Sequence, residues 1–249
     1  MTVADVVAAL ALPSAAMVNQ RVAKQMLADN AAATAADKRS ILDSIDEIQW
    51  LAALKPSNIG VPEFRDGTRS YLEVAVLSLN VRAGAKTARL VELVHRAIPY
   101  PVLLIVHDEY SLALSLAHIR HAHNEADKTV LDGESVFATL PGDAIGHSCL
   151  QAMALPRQPR SDFFALYQGW IDTVMALQAA QLTGHFTASV SREQAAMRRA
   201  ALRQCHDLTT QMAALRKEAA KEKQLARQVD LNMALLRLTS DLTIAKQRL

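Results

Sequence analysis

The stretch Ser70–Val106, SYLEVAVLSLNVRAGAKTARLVELVHRAIPYPVLLIV, contains the pattern that decides the fold. Its first part, Ser70–Leu79, has large and β-branched apolar residues on both faces, which is typical of an inner strand. The apolar residues of Thr87–Ala97 then recur at helical spacing. Two prolines end that helix and lead into Val102–Val106, a short and wholly apolar strand. The pattern predicts a strand–helix–strand unit whose two strands are parallel.

The residues that follow this unit predict further strands. Leu112–Ile119 comes after a turn and is expected to pair antiparallel with the strand before it. Asp132-Gly133 is a strong turn signal, and the segments beside it are Thr129–Leu131 and Ser135–Leu140. We therefore expect these two segments to pair as a hairpin.

Upstream of the unit, the sequence predicts one long helix. The hydroxyl of Thr34 can cap backbone N–H groups at its start, and Asp37 favours the first turn. Because Pro56 restricts the preceding residue to extended backbone, the helix is expected to end near Lys55. The apolar residues at helical spacing between these points are Ile41, Ile45, Ile48 and Ala52.

The remainder of the chain has a helical pattern, with helices predicted at about 143–154 and 161–182. Taken together, the segments predict an α+β fold with a small mixed β-sheet, a βαβ unit and flanking helices over residues 1–142. An all-helical C-terminal region follows, with a connector over 143–184 and a long helical segment over 185–249.

The segment 185–249 contains neither Pro nor Gly. An apolar seam with steps of four and three, the spacing of a coiled coil, runs through Ala201, Cys205, Leu208, Met212, Leu215, Ala219, Glu222, Ala226, Val229, Met233 and Leu236. The seam is weak around Glu222, and this leaves two alternatives open. The segment is either a single long helix that needs a partner chain, or a hairpin in which Leu225–Leu249 folds back on the preceding half.

Charge is divided unevenly along the chain. Residues 185–249 carry twelve Lys+Arg against six Asp+Glu, whereas the rest carries 15 against 19. A basic helical segment is either an ordinary solvated surface or a partner for acidic groups. Its candidates for contact with nucleic-acid phosphates, which no aromatic residues interleave, are Arg198, Arg199, Arg203, Lys217, Lys221 and Lys223.

Composition predicts a folded, soluble cytoplasmic protein that holds neither a metal nor a cofactor. The two cysteines, Cys149 and Cys205, are too few for a metal framework and fit a reducing compartment. No basic residue precedes the first apolar stretch, unlike a secretory signal. The absence of any run of about 20 apolar residues argues against a membrane span.

No motif in the sequence identifies a reaction, since it lacks a Gly-rich phosphate loop, a nucleophile elbow, zinc-ligand spacing and a kinase signature. No catalytic residue is therefore predicted. A candidate functional surface is drawn instead from Arg69, Glu73, His95, Arg96, Tyr100, His118 and Arg120. Of these, His95 and Arg96 in the last turn of a helix would complement its dipole, which accounts for them without a ligand.

Two groups of residues have an alternative chemical interpretation. Asp66 and Glu73 could serve a metal-dependent nuclease, although the acid-x-Lys pattern of such enzymes is missing and an ion pair of Glu73 with Arg69 or Arg96 is the simpler interpretation. The second group follows His118 and could ligate a metal if strand geometry persisted, against the simpler interpretation as a polar turn. It consists of His121, His123 and Glu125.

Several short motifs together resemble those of a bacterial family of proteins, domain-of-unknown-function family 4391. The most specific is HRAIPYP over His95–Pro101, followed by Val102-Leu103-Leu104. The weaker ones are Asp37-Lys38, Trp50 with Leu54-Lys55-Pro56, Tyr71-Leu72-Glu73, Ser115-Leu116-Ala117-His118, Lys221-Glu222-Lys223-Gln224 and Val229-Asp230-Leu231-Asn232. The resemblance covers most of the chain. It implies a gene neighbourhood of DNA methyltransferases and helicases in restriction-like, anti-phage clusters, and it supplies no catalytic residues.

We therefore expect a non-catalytic accessory or scaffold protein that docks partner proteins through its α/β body and its C-terminal coiled coil. The resemblance implies a helicase or a DNA methyltransferase of the same gene cluster as the partner, and residues 185–249 could also form a homo-oligomer. One alternative is a metal-dependent nuclease or other DNA-acting enzyme that uses Glu73 and Asp66. The other is a DNA-binding module that uses the basic segment.

Overall fold

The structure, a computed structural model, describes residues 1–122 and 125–249, apart from the side chains of 125–128. The chain divides into two compact units, Met1–Leu177 and Gln178–Leu249. The fold is a mixture of helices and a mixed β-sheet with a helical C-terminal region, so the predicted α+β class is confirmed. None of the helices in the described part of the chain is long and apolar enough to cross a membrane.

The elements of the first unit, in chain order, are α1 (Val3–Leu10), β1 (Met17–Arg21), α2 (Lys24–Ala31), α3 (Ala35–Ser44), β2 (Ile45–Leu54), α4 (Pro56–Ile59), β3 (Phe64–Arg65), β4 (Ser70–Tyr71), β5 (Val74–Val81), α5 (Thr87–Ala97), β6 (Val102–His107), β7 (Leu112–Leu116), β8 (Ile119–Ala122), β9 (Glu125–Leu131), β10 (Val136–Thr139), α6 (Ala144–Met153) and α7 (Phe163–Thr183). The last of these, α7, continues into the second unit, where α8 (Arg192–Ala219) and α9 (Leu225–Lys246) follow.

A six-stranded sheet in the order β1-β2-β5-β6-β7-β10 forms the centre of the first unit. Strands β5 and β6 are parallel and are joined by α5, while every other neighbouring pair in this sheet is antiparallel. The predicted strand–helix–strand unit is therefore confirmed, with the helix at its predicted bounds. Two two-stranded sheets, β3-β4 and β8-β9, accompany the main sheet.

Both faces of the central strands are buried. On one face, Leu77 of β5 and Leu104 of β6 pack with α5 residues such as Leu90 in a core that also includes residues of α2 and α3. Val76 and Leu103, which point to the other face, are also fully buried. Burial on both faces explains why these strands are continuous apolar runs without alternation.

The helix predicted from Thr34 to Lys55 is wrong in its second half. The cap at Thr34 is present, since its hydroxyl accepts from the backbone N–H of Asp37 at 3.1 Å, but α3 ends at Ser44 and the chain continues as β2. The pairing of β2 with β5 shifts register at two places. Each such bulge inserts a residue, so the buried Ile45 and Ile48 stand three residues apart, a spacing that a helix would also give.

The hairpin predicted around Asp132-Gly133 is also wrong. Gly133 does occupy a turn, with φ of 91°. The strands on its two sides, however, belong to different sheets, because β9 pairs with β8 and β10 pairs with β7. The predicted strand Leu112–Ile119 is accordingly divided between β7 and the start of β8, and Ser70–Leu79 is divided between β4 and β5.

The helices predicted at about 143–154 and 161–182 are confirmed as α6 and α7, and α7 is fastened to the sheet by a buried tyrosine. The Tyr167 hydroxyl donates to the carbonyl oxygen of Val102 at 2.7 Å and accepts from the backbone N–H of Ala117 at 2.9 Å. Val102 begins β6, and Ala117 follows the last residue of β7. One side chain thus fixes α7 against two strands of the main sheet.

In the second unit, α8 and α9 form a helical hairpin, so the fold-back alternative is confirmed and the single long helix is wrong. Cys205 and Leu208 of α8 pack with Ala245, Leu238 and Leu242 of α9. The turn between the helices lies at the predicted weak point. Its Glu222 carboxylate accepts two backbone N–H groups at 2.8 Å, from Lys223 and Gln224, and pairs with Arg227 at 3.3 Å.

Within α8, every residue of the predicted seam is buried except Leu215, which is half-buried. Beyond the turn, the residues of the predicted seam do not pack against α8. Val229, Met233 and Leu236 are 52%, 50% and 66% exposed. The turn changes the rotational phase of the second helix, so a seam counted continuously through the sequence points elsewhere in α9. Leu238, Leu242 and Ala245, which pack against α8, each lie two residues or more from the nearest residue of that seam.

Replacing Tyr167 with Phe is expected to lower the free energy of unfolding by about 1–3 kcal/mol, because it leaves the buried N–H of Ala117 and C=O of Val102 without their hydroxyl partner. Urea unfolding followed by circular dichroism measures the change. Tyr110→Phe is the matched control, since Tyr110 is 85% exposed, and it is expected to stay within about 0.5 kcal/mol of the wild type. Equal effects of the two substitutions would contradict the fastening role of Tyr167.

Candidate functional site

Three of the seven predicted surface residues meet at one place in the first unit. Arg69 and Arg120 both approach the carboxylate of Asp132, and His118 lies beside them within a group of aromatic rings. We name this group the tyrosine–histidine cluster. It consists of Asp66, Arg69, Tyr71, His118, Arg120, Asp132, Phe164 and Gln168. Its members come from β4 and the turn before it, from the loop between β7 and β8, from β8, from the residue after β9, and from α7.

A directional chain of hydrogen bonds runs through the cluster. The hydroxyl of Tyr71 lies 2.7 Å from Nδ1 of His118, and Nε2 of His118 lies 2.9 Å from Oε1 of Gln168. Because an amide oxygen can only accept, the Nε2–H of His118 donates to Gln168, and Nδ1 accepts from Tyr71. Nε2 of Gln168 in turn donates to Oδ1 of Asp172 at 2.9 Å. This network assigns the tautomer of His118.

Burial shifts the titration of the two central groups. Desolvation lowers the pKa of His118 and raises the pKa of Tyr71, which keeps both side chains neutral around pH 7. Both ring nitrogens of His118 already have hydrogen-bond partners. The imidazole therefore has no free lone pair with which to act as a base or ligand in this arrangement, and its role is to position its neighbours.

Stacked rings hold the cluster from one side. The ring of Phe164 stacks on His118 with centroids 5.0 Å apart and on Phe64 with centroids 4.9 Å apart. The guanidinium of Arg69 lies 5.5 Å from the centroid of the same ring. Phe164 and Gln168 are four residues apart on α7 and so lie on one face of that helix. The aromatic contacts and the hydrogen-bond chain thus depend on one face of α7.

The charges of the cluster balance one another. Arg69 Nε donates to Asp132 Oδ2 at 2.8 Å, and Arg69 Nη1 lies 3.5 Å from Asp66. Arg120 Nε lies 3.9 Å from the other oxygen of Asp132. Two guanidinium groups face two carboxylates, so the cluster offers no excess charge to an ionic ligand and acts as a partly exposed ion network.

Asp66 and Glu73, the acids considered for a nuclease, have separate partners. Oδ1 of Asp66 accepts from the backbone N–H groups of Thr68 and Arg69 at 2.7 and 2.6 Å, and these bonds lower its pKa. Glu73 pairs with Lys55 at 3.4 Å, in place of the predicted Arg69 or Arg96. Asp66 therefore stabilises a turn, and the ion pair of Glu73 connects the residue before β5 to the residue after β2.

The remaining three candidates belong to the end of α5. His95 is buried, with Nε2 2.9 Å from the hydroxyl of Ser115 in β7, and burial lowers its pKa to about 4. Arg96 pairs with Glu92 at 2.6 Å, one turn earlier in the helix. Tyr100 is half-buried against the core. The helix end that resembles the family most closely is thus explained by packing.

The candidates for phosphate contact differ in exposure. Arg198 is buried in the hairpin, where it donates to the hydroxyl of Ser189 at 2.7 Å and to the carbonyl oxygen of Leu249 at 3.3 Å. Arg199 is half-buried. The candidates that are exposed are Arg203, Lys217, Lys221 and Lys223.

The proposed metal ligands of the histidine-rich segment fall partly outside what the structure describes. His123 lies outside the described residues, as does the side chain of Glu125. Across the described residues, no group of three or more His, Cys, Asp or Glu is placed to hold a metal ion. His118 is committed to Tyr71 and Gln168, and His121 lies on β8 with its backbone N–H donating to Thr68.

A cleft that sequence reasoning missed lies where the two parallel strands end. It has a volume of about 400 Å³, and its polar lining includes Asp46, Asn80, Arg82, His107, Asp108 and Glu109. Ligands of α/β proteins often bind beyond the carboxyl ends of parallel strands. The polar residues Asn80 in β5 and His107 in β6, at the ends of the two strands predicted to be parallel, could therefore have indicated this cleft from the sequence. Asp46 was missed because β2 was predicted as helix.

Within the cleft, the polar side chains largely pair with one another. Asn80 donates to Asp46 at 3.3 Å, and Arg82 lies 3.7 Å from the same carboxylate. Asp108 accepts from two backbone N–H groups of the turn that follows β6. His107 is half-buried, and desolvation lowers its pKa. The cleft is a polar surface feature without an assembled catalytic pair.

A family model described as "Domain of unknown function (DUF4391)" matches residues 10–242. No curated protein and no solved structure matches the chain.

The buried His95 is expected to make stability depend on pH. Because its folded-state pKa of about 4 lies below the ordinary value of 6.5, the unfolded chain binds more protons between these values. The contribution of the neutral His95 to the free energy of unfolding is therefore fully present above pH 6.5 and is lost as the pH falls toward 4. Between pH 7 and pH 5, the unfolding free energy of the wild type should drop by about 2 kcal/mol more than that of His95→Gln. Equal drops in urea unfolding at the two pH values would contradict this assignment.

Removing the guanidinium of Arg69 is expected to destabilise the first unit. In Arg69→Gln, the half-buried carboxylate of Asp132 loses its 2.8 Å bond, which should cost about 1–2 kcal/mol after allowance for solvent screening. The matched control is Arg65→Gln, because Arg65 is exposed and its ion pair is with the exposed Glu63. Thermal and urea unfolding compare the two variants. A loss that is no larger for Arg69→Gln than for the control would show that the ion network contributes nothing.

Proposed function

The chain belongs to the DUF4391 family, and from that premise we propose that it is a non-catalytic accessory protein of a bacterial DNA-processing assembly. In this role it docks partner proteins through its α/β body and its helical hairpin. The partners are a helicase or a DNA methyltransferase of the same restriction-like, anti-phage gene cluster, as the sequence resemblance implies.

The observation that carries this proposal is that α9 has apolar residues on two opposite sides. Leu238, Leu242 and Ala245 pack against α8. A second set, which we name the outer face, consists of Leu225, Val229, Met233, Leu236 and Ile244. At 100° per residue, the mean directions of the two sets differ by about 180°. A helix that is apolar on two sides is suited to contact a second partner.

The exposure of the outer face supports an assembly role. Its five side chains are between 46% and 75% exposed, although each is large and apolar. Single exposed apolar residues are ordinary on a protein surface, whereas a row of them along one side of a helix is typical of an interaction site. The outer face therefore supports docking as the use of the hairpin.

The side-chain chemistry of the first unit also favours docking over turnover. In the tyrosine–histidine cluster, the two arginines face two carboxylates, and both nitrogens of His118 are engaged. A catalytic group needs a free acid, base or nucleophile directed at a substrate. The cluster supplies a rigid, partly exposed surface instead. The separate partners of Asp66 and Glu73 give the nuclease alternative less support.

A DNA-binding module remains the second candidate, because four of the six basic side chains predicted to contact phosphates are exposed on the hairpin. These are Arg203, Lys217, Lys221 and Lys223. Phosphate contacts by such residues would give an affinity that falls steeply with salt, independent of DNA sequence. This property separates the two candidates experimentally.

The proposal predicts that the tagged full chain, co-expressed with the helicase and the methyltransferase of its gene cluster, captures at least one of them. Capture should survive digestion of nucleic acid and a rise in NaCl from about 0.1 to about 0.5 M, since apolar contacts do not depend on counterion release. Affinity purification followed by mass spectrometry of the eluate is the measurement.

The double variant Arg203→Glu/Lys217→Glu serves as the control for a nucleic-acid bridge. Under the proposal it captures the same partner as the wild type. If capture disappears both in this variant and after nuclease digestion, the chain is a DNA-binding module, and if neither protein is captured at all, the accessory role is refuted.

A further inference from the structure

We propose that a second copy of the chain covers the outer face of α9, with the two α9 helices antiparallel about a twofold axis between Ala234 and Leu235. This inference rests on the proposed function, because it names the partner of the face that supports docking. The two hairpins would then form a four-helix arrangement, a common way for helix pairs to bury a shared apolar core.

The spacing of the outer face is the first argument. With the exposed Ser240 included, its positions are 225, 229, 233, 236, 240 and 244, in steps of four, four, three, four and four. This series is the same when read backwards. A twofold axis at its midpoint therefore sets Leu225 against Ile244 of the second copy and Met233 against Leu236. Every outer-face position meets another position of the same series.

The period of the series is the second argument. Leu225 and Leu236 are eleven residues apart, and an eleven-residue repeat over three turns corresponds to about 3.67 residues per turn. This value is close to the 3.6 of a straight helix. The outer face therefore stays on one side along the whole length of α9 and can contact another straight helix throughout.

Charge complementarity selects the antiparallel arrangement. The exposed Asp230 and Arg237 both flank the outer face on the same side, at about 80° from its mean direction. The twofold axis places Asp230 of one copy within two residues, or about 3 Å along the axis, of Arg237 of the other copy. This ion pair occurs twice. In a parallel pair in register, the twofold axis runs along the helices and places this flank of the two copies on opposite sides of the contact, so neither ion pair forms.

The first test is the mass of the pure full chain in solution. Multi-angle light scattering at about 100 μM should give a dimer, a concentration at which a specific interface with Kd near 1 μM is largely occupied. Met233→Glu/Leu236→Glu should give a monomer with unchanged helical circular dichroism. The matched control, Thr210→Glu/Ala214→Glu, adds the same charges at exposed positions of α8 and should remain a dimer. A monomeric wild type, or a dimer that survives the Met233/Leu236 variant, overturns the inference.

Charge reversal tests the register without touching the apolar residues. Asp230→Arg and Arg237→Asp should each weaken the dimer by about tenfold, because each creates two like-charge contacts. The double variant Asp230→Arg/Arg237→Asp should restore the wild-type Kd to within about threefold. Additive weakening in the double variant overturns the antiparallel register.

Disulfide trapping tests the direction of pairing. In the proposed dimer, residue 225 faces residue 244 of the other copy, whereas the two copies of residue 225 are about 28 Å apart along the axis. An oxidised mixture of Leu225→Cys and Ile244→Cys should therefore yield a mixed dimer, and Leu225→Cys alone should not cross-link. The native Cys149 and Cys205 are buried. Cross-linking of Leu225→Cys with itself overturns the antiparallel arrangement.

These experiments distinguish a failure of the second-copy inference from a failure of the proposed accessory role. Partner capture by a wild-type chain that is monomeric in pure solution leaves the accessory role in place and overturns the second-copy inference. A stable dimer that captures neither the helicase nor the methyltransferase supports the second-copy inference and refutes the accessory role.

Discussion

The Tyr167 hydroxyl is the contact on which much of the first unit depends. A buried hydroxyl must be hydrogen-bonded, and this one meets the carbonyl of Val102 and the N–H of Ala117 at once. These bonds fix the position of α7 relative to β6 and to the chain after β7. Phe164 and Gln168 lie one turn or less away on the same helix, so their contacts with His118 follow from that position. The tyrosine–histidine cluster is therefore a consequence of how α7 is fastened.

The elements that sequence predicts well are those whose pattern is local. Thr87–Ala97 is confirmed residue for residue and Val102–Val106 to within one residue, whereas the strand predicted over Ser70–Leu79 is confirmed as β5 with different bounds, Val74–Val81. The helix predicted over the residues of β2 was wrong because two bulges give the buried residues of this strand a helical spacing. The pairing of β9 and β10 failed because a turn signal states only that the chain reverses, whereas the partner of each strand is set by distant residues.

The candidate site shows the same division. Arg69, His118 and Arg120 were predicted as members of a candidate functional surface, and the structure brings them together. Their shared partners could not be identified from the sequence, because Asp132 is 63 residues from Arg69, and Gln168 is 50 residues from His118. Whether a side chain such as His118 already has hydrogen-bond partners within the protein decides whether it can act in catalysis or only positions its neighbours. That property exists only in the folded chain.

The turn around Glu222 changes the meaning of the seam that runs through the last third of the chain. A seam counted through the turn continues into α9 at Val229, Met233 and Leu236, which the hairpin leaves exposed. Intrachain packing is supplied by a different set that includes Leu238 and Leu242. Apolar residues that a fold does not need for its own core cost solubility when exposed, unless another surface covers them. The sequence pattern that indicated assembly thus coincides with the face that folding leaves available for a partner.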